Sequence, residues 1–374
     1  MTFRGGSDSR SPAHALLLAV LLAAGAATES RAQSSRVDVL DPHALPLGDG
    51  KVSSQPQRGF VYSCERQFRS GGAQQPGDWI HGSTWDSTRK ITVRGELAWP
   101  SATFGMVTGN GERRITGNGL PIDHTTGVFP VQRDDPAFPI DRNPNTISPQ
   151  RIALSLPLSP APAATASCVP MGMIGIALSG VAIFNALDAG GHDAVAHEVQ
   201  DHCNGHPERR GQYHYHGPSD CIPGATAANR LIGYALDGFG IMSRYDEQGR
   251  ELTDADLDEC HGRTSPIMWD GRKVTMYHYV LTREYPYTIG CFRGTAVRLP
   301  MGDAAPPRQG LERGADDTPH PPGGPRRPPV EAIDACATSV AGAPCRFTTP
   351  RGDAIAGTCR SPGGSLACVP DRPR

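Results

Sequence analysis

Histidine usage is strongly clustered in this chain. Eight of its thirteen histidines (His192, His197, His202, His206, His214, His216, His261 and His278) fall between positions 192 and 278. Imidazole titrates near neutral pH and is a common transition-metal ligand. The segment Tyr213-His214-Tyr215-His216 reads as a strand, on which side chains alternate, so both imidazoles project to one face and both phenols to the other. Two imidazoles spaced in this way reach one ion, and the pair suits zinc or copper. The expected set is His214 and His216, completed by His278, His206 or His261. The same histidines could instead do acid/base work in a hydrolase with Asp201 or Asp258 orienting them, or the domain could be a binding module without chemistry.

Other chemistries fail on spacing. In His197-Glu198-Val199-Gln200-Asp201-His202 the second histidine comes five residues after the first, where a zinc-peptidase helix needs four. Asp254, Asp256 and Asp258 have the opening spacing of a calcium loop, but neither the glycine nor the closing glutamate follows, and the acids suit the first turn of a helix better. Ser179 lacks the first glycine of a nucleophile elbow, and the chain has no phosphate loop or dinucleotide fingerprint, so no nucleotide cofactor is expected.

The elements that must position the histidines are short. β-rich runs at Lys90–Arg94, Arg113–Thr116 and Arg272–Tyr277 stand among turn residues, the last two behind Asn110-Gly111 and Asp270-Gly271, which are strong hairpin signals. Two short helices are expected. One runs from Asp193 to Cys203 on the stripe Val195, Val199, Cys203, and one from Thr253 to Cys260, capped by Thr253 and stopped by Gly262. Ile174–Ile183 matches Ile232–Ile241 at an offset of 58. Asp201, Cys203 and Gly205 then match Asp258, Cys260 and Gly262, Tyr213-His214-Tyr215 matches Tyr277-His278-Tyr279, and Cys221 matches Cys291. Matches in one order with a slowly growing offset indicate a duplicated unit, about 172–221 and 230–291. The predicted fold is mainly β: antiparallel, sandwich-like sheets with two short helices and an internal duplication.

These residues resemble the YHYH-domain proteins, a secreted family named for the motif present here at 213–216. The likeness covers Asp141-Arg142-Asn143-Pro144-Asn145, His197–Asp201, Asn204–Pro207, Asp256–Gly262 and Tyr285–Gly294, and spans roughly residues 60 to 300. It implies an exported protein and brings no activity with it, so the site rests on the residues. Val280 stands in the second copy where His216 stands in the first, which argues against two equal metal sites.

The compartment follows from the N-terminus and the cysteines. Arg4 and Arg10, the apolar stretch Ala13–Ala27 and Ser30-Arg31-Ala32 read as a signal peptide over 1–32 with cleavage after Ala32. The destination is secreted or periplasmic, with no membrane span after signal cleavage. All ten cysteines follow that point, and an even number in an exported chain reads as disulfides. The duplication pairs Cys203 with Cys221 and Cys260 with Cys291, which leaves Cys64 with Cys168. The YHYH domain is expected over 33–300, a Pro-rich linker over 301–333 and a Cys-rich module over 334–374, which could attach the protein to an extracellular polymer. A net charge of -2 provides no field for a polyanion, so no nucleic-acid partner is expected.

Overall fold

The computed structural model describes residues 40–68, 71–299, 330–336, 339–348, 354–360 and 366–370. The expected signal peptide and most of the expected linker lie outside the described residues. Those described form two compact units, one on each side of the Pro-rich segment.

The first unit opens with five two-residue strands: Leu45–Pro46 (β1), Val52–Ser53 (β2), Val61–Tyr62 (β3), Ile80–His81 (β4) and Thr84–Trp85 (β5). Phe104–Gly109 (β6), Glu112–Gly117 (β7) and Ile152–Pro157 (β8) make an antiparallel sheet. Its first turn is Asn110-Gly111, both at positive φ (53° and 76°), the twist that a two-residue hairpin requires. Pro162–Ser167 (β9) pairs with a strand near the end of the unit.

The main sheet takes Met173–Ala177 (β10), Ala182–Phe184 (β11), Gly205–Pro207 (β12), Tyr213–Tyr215 (β13), Leu231–Ala235 (β14), Gly240–Met242 (β15), Gly262–Trp269 (β16) and Arg272–Val280 (β17). Their order is β12-β13-β11-β10-β14-β15-β17-β16. Phe292–Gly294 (β18) is the partner of β9. Most pairings are antiparallel, as expected, but β11 with β13 and β15 with β17 run parallel. A parallel return needs a crossover rather than a hairpin, and in both cases the connection carries a short helix and one more strand.

The two halves of this sheet are built alike. Each begins with an antiparallel pair turned at a glycine of positive φ, Gly180 (87°) or Gly238 (88°), where a side chain would be strained. Each continues with a parallel ladder, Ile183 opposite Tyr215 and Ile241 opposite Tyr279. Asp201 accepts from the amides of Cys203 and Gly205 and the hydroxyl of Tyr213, and Asp258 does the same for Cys260, Gly262 and Tyr277. The buried Ile174, Ile176, Ile183, Tyr213, Tyr215, Ile232, Ile241 and Tyr279 belong to one core.

Several expectations are corrected. Lys90–Arg94 is not a strand: Val93 makes a single bridge to Asp201, and the Lys90 side chain turns inward. The first helix is one turn, Ala194–His197 (α1), capped by the Asp193 carboxylate, and Glu198 is already extended (φ -78°, ψ 148°). It stops because the next amide, that of Val199, donates to Asp141 Oδ2 instead of continuing the helix. The second expected helix is a 3-10 turn, Asp254–Asp256, in which Asp256 accepts from the Thr253 amide and hydroxyl.

The disulfides of the first unit join Cys64 to Cys168, Cys203 to Cys221 and Cys260 to Cys291, the pairs expected from the sequence. The second unit holds Val330–Asp334 (α2) and an antiparallel sheet of Pro344–Thr348 (β19), Ala354–Arg360 (β20) and Ala367–Pro370 (β21), with Cys336–Cys359 and Cys345–Cys368 across it. It has its own core around Ala332, Cys336, Cys359, Ala367 and Cys368. Its helix begins within the last residues of the expected linker.

Candidate metal centre

The histidine site grows from one hairpin. β12 and β13 pair so that His206 lies opposite His214. The turn between them is tight: Glu208 and Gln212 close it, and Gly211 takes a φ of 83°. Alternation then separates the rings as the sequence predicts. Tyr213 and Tyr215 face the other way, toward Asp201 and toward Ser179 and His124 respectively. His206, His214 and His216 converge, each offering a ligand atom within 4.8 Å of the others, and all three are buried. Phe184 stacks on His214 with ring centroids 3.8 Å apart, which fixes that ring in place.

Backbone carbonyls fix the tautomers. His214 Nδ1 is 3.0 Å from the Gln212 carbonyl and His216 Nδ1 is 2.5 Å from the Asn185 carbonyl. A carbonyl only accepts, so both Nδ1 atoms carry the proton and both Nε2 atoms present lone pairs. Those Nε2 atoms face each other at 3.0 Å. Two acceptors at that separation repel unless a cation lies between them. Burial holds all three imidazoles toward the neutral form, His216 down to about 4, and each of His206 and His214 is lowered further by neighbouring histidines. Neutral imidazoles with hydrogen-bonded Nδ1–H groups are the form in which histidine ligates metal.

Three further residues enter the site that composition and spacing did not single out. Glu198 Oε2 stands 3.5 Å from His206 Nε2 and 3.6 Å from His216 Nε2. Both Glu198 Oε2 and His206 Nε2 are buried without a hydrogen-bond partner. Burial, reinforced by Asp141 and Asp188, pushes the Glu198 carboxyl well above the usual range. Asn143 donates to the Pro207 carbonyl and lies 3.5 Å from His206 Nδ1, so the Asp141-Arg142-Asn143 segment braces β12 beside the site. Lys90, buried and pushed down to about 8 chiefly by that burial, donates to the Val195 carbonyl and Gln200 Oε1 on either side of Glu198.

The other predicted site residues lie elsewhere. His278 Nδ1 bonds the Met276 carbonyl, and its ring lines a small pocket with Arg263, Asp246 and Ser265. His261 Nε2 is 2.9 Å from Thr282 Oγ1, and its Nδ1 lies 3.2 Å from Asp254 Oδ1, which makes no hydrogen bond. That chain has the order of a hydrolase triad, but Thr282 is fully buried and its hydroxyl also reaches the Glu284 carbonyl at 2.8 Å. Asp201 and Asp258, the orienting carboxylates of a hydrolase, bind loop amides and tyrosine hydroxyls rather than histidines. Two other groups with ligand-like spacing, His202-Cys203-Cys221 and Cys336-Cys345-Cys359, contain only disulfide-bonded cysteines.

No curated protein and no solved structure matches this chain significantly. One family model does match, over residues 153–255, which include β12, β13, Glu198 and the three converging histidines but neither His261 nor His278. Over those residues the chain carries a domain of the family described as YHYH protein.

Proposed function

We propose that this is an exported protein whose YHYH domain binds one transition-metal ion, zinc or copper, through His206, His214 and His216. The observation that carries this reading is the 3.0 Å approach of two Nε2 lone pairs whose Nδ1 atoms are both committed to carbonyls. A bound cation turns that repulsion into coordination. Five disulfides and no free cysteine among the described residues fit an oxidising compartment. The separately cross-linked C-terminal unit is read as an attachment module.

The matching ladders and aspartate ties of the two half-sheets support a duplication, and they also support a single ion. Where β12 sets His206 opposite His214, β16 sets Arg263 opposite His278, and Val280 takes the position of His216. The second copy therefore carries a fixed cation and an apolar side chain where the first has imidazoles.

Metal-stripped protein, made in an oxidising compartment and titrated calorimetrically with zinc and with copper, tests the reading. Uptake of one equivalent, lost on changing His214 and His216 together to alanine, is expected.

A further inference from the structure

We infer that Glu198 is the fourth protein ligand of this ion, so that the centre is a closed set of three imidazoles and one carboxylate for a divalent metal. The inference rests on the metal reading above and extends it to the coordination number and the class of ion.

Distances carry it. In a tetrahedral site with bonds of about 2.1 Å the ligand atoms stand about 3.4 Å apart. Glu198 Oε2 is 3.5 Å from His206 Nε2 and 3.6 Å from His216 Nε2, and the two Nε2 atoms of His214 and His216 are 3.0 Å apart. Glu198 Oε2 thus stands at a ligand-to-ligand distance from two of the three imidazoles, His206 and His216, and His214 joins them through its contact with His216.

A second observation is independent of those edges. Glu198 Oε2 and His206 Nε2 are buried with no hydrogen-bond partner, and such orphans need an explanation. Lys90, the cation whose charge acts on Glu198, donates to the Val195 carbonyl and Gln200 Oε1, and no hydrogen bond joins it to Glu198 Oε2. A metal ion satisfies both orphans at once.

Two consequences follow. With four protein ligands no position is left for water or substrate, so the ion stabilises the hairpin rather than driving hydrolysis. Imidazole and carboxylate together favour Zn²⁺, Co²⁺ or Cu²⁺ over the soft Cu⁺, which prefers sulfur.

The test is the visible spectrum and affinity of the Co²⁺-loaded full chain. The wild type should show the intense bands of four-coordinate cobalt and no change on adding azide. Glu198→Gln should bind Co²⁺ roughly 100-fold or more weakly, since even outer partners of a ligand change affinity 10- to 100-fold, and its bands should shift with azide. Wild-type affinity and spectrum in Glu198→Gln would overturn the assignment while leaving the three-histidine reading intact. An azide shift in the wild type would also overturn it and needs no variant. No cobalt uptake by the wild type would overturn the underlying metal reading, and this assignment with it.

Discussion

The Nε2 atoms of His214 and His216 meet at 3.0 Å because two carbonyls, those of Gln212 and Asn185, hold the opposite edges of the rings. The pair is thus pre-arranged by a strand and its neighbour before any ion arrives. Preorganisation of this kind moves the ordering cost into folding, so whatever stabilises the hairpin should also strengthen binding.

The Cys203–Cys221 bridge closes the segment that carries His206, His214 and His216. Replacing both cysteines by serine should destabilise the domain by about 3 kcal/mol on the chain-entropy account and weaken metal uptake. The corresponding change at Cys260 and Cys291 should destabilise the domain while leaving one ion per chain. Denaturant unfolding and metal titration of the two variants check this, and equal loss of metal by both would contradict it.

His278 lends the domain an acid-sensitive component outside the His206, His214 and His216 cluster. Burial lowers its pKa to about 4, Arg263 adds to that and Glu247 opposes it. The unfolded chain keeps a value near 6.5, so between the two the unfolded state takes up the proton. Stability from this residue is complete above about pH 6.5 and is lost as the pH falls toward 4, by up to about 3 kcal/mol. His278→Gln should flatten the acid limb of stability against pH by that amount. An unchanged difference between pH 7 and pH 4.5 would show that His278 does not contribute.

The two units have separate cores, one around the main sheet and one around the C-terminal disulfides. A chain ending at Arg298 should therefore melt at the temperature of the longer chain and bind the same amount of metal. A marked drop in melting temperature would mean that the units share a core.

Pairing of His214 with His216 was legible because strand alternation depends on sequence alone. The pairs Cys203–Cys221 and Cys260–Cys291 were legible in the sequence matches that set these cysteines in equivalent places, and the two hairpins in Asn-Gly and Asp-Gly. His206 was one of three equal candidates, since its place opposite His214 depends on the register set by the turn at Gly211. His261 and His278 read as ligands because they cluster in sequence, yet β16 and β17 belong to the other half-sheet. Glu198 did not stand out because the Val195, Val199, Cys203 stripe suggested a longer helix. The Asp141 carboxylate, far away in sequence, ends that helix and leaves Glu198 extended beside the imidazoles.

The central claim is one ion held by the β12–β13 hairpin. Metal content of the stripped and reloaded chain, measured beside calorimetric titration, tests it most directly. The account predicts saturation near one zinc or copper per wild-type chain and none in the His214→Ala, His216→Ala double variant. No saturable uptake by the wild type, or equal uptake by the double variant, would contradict the account.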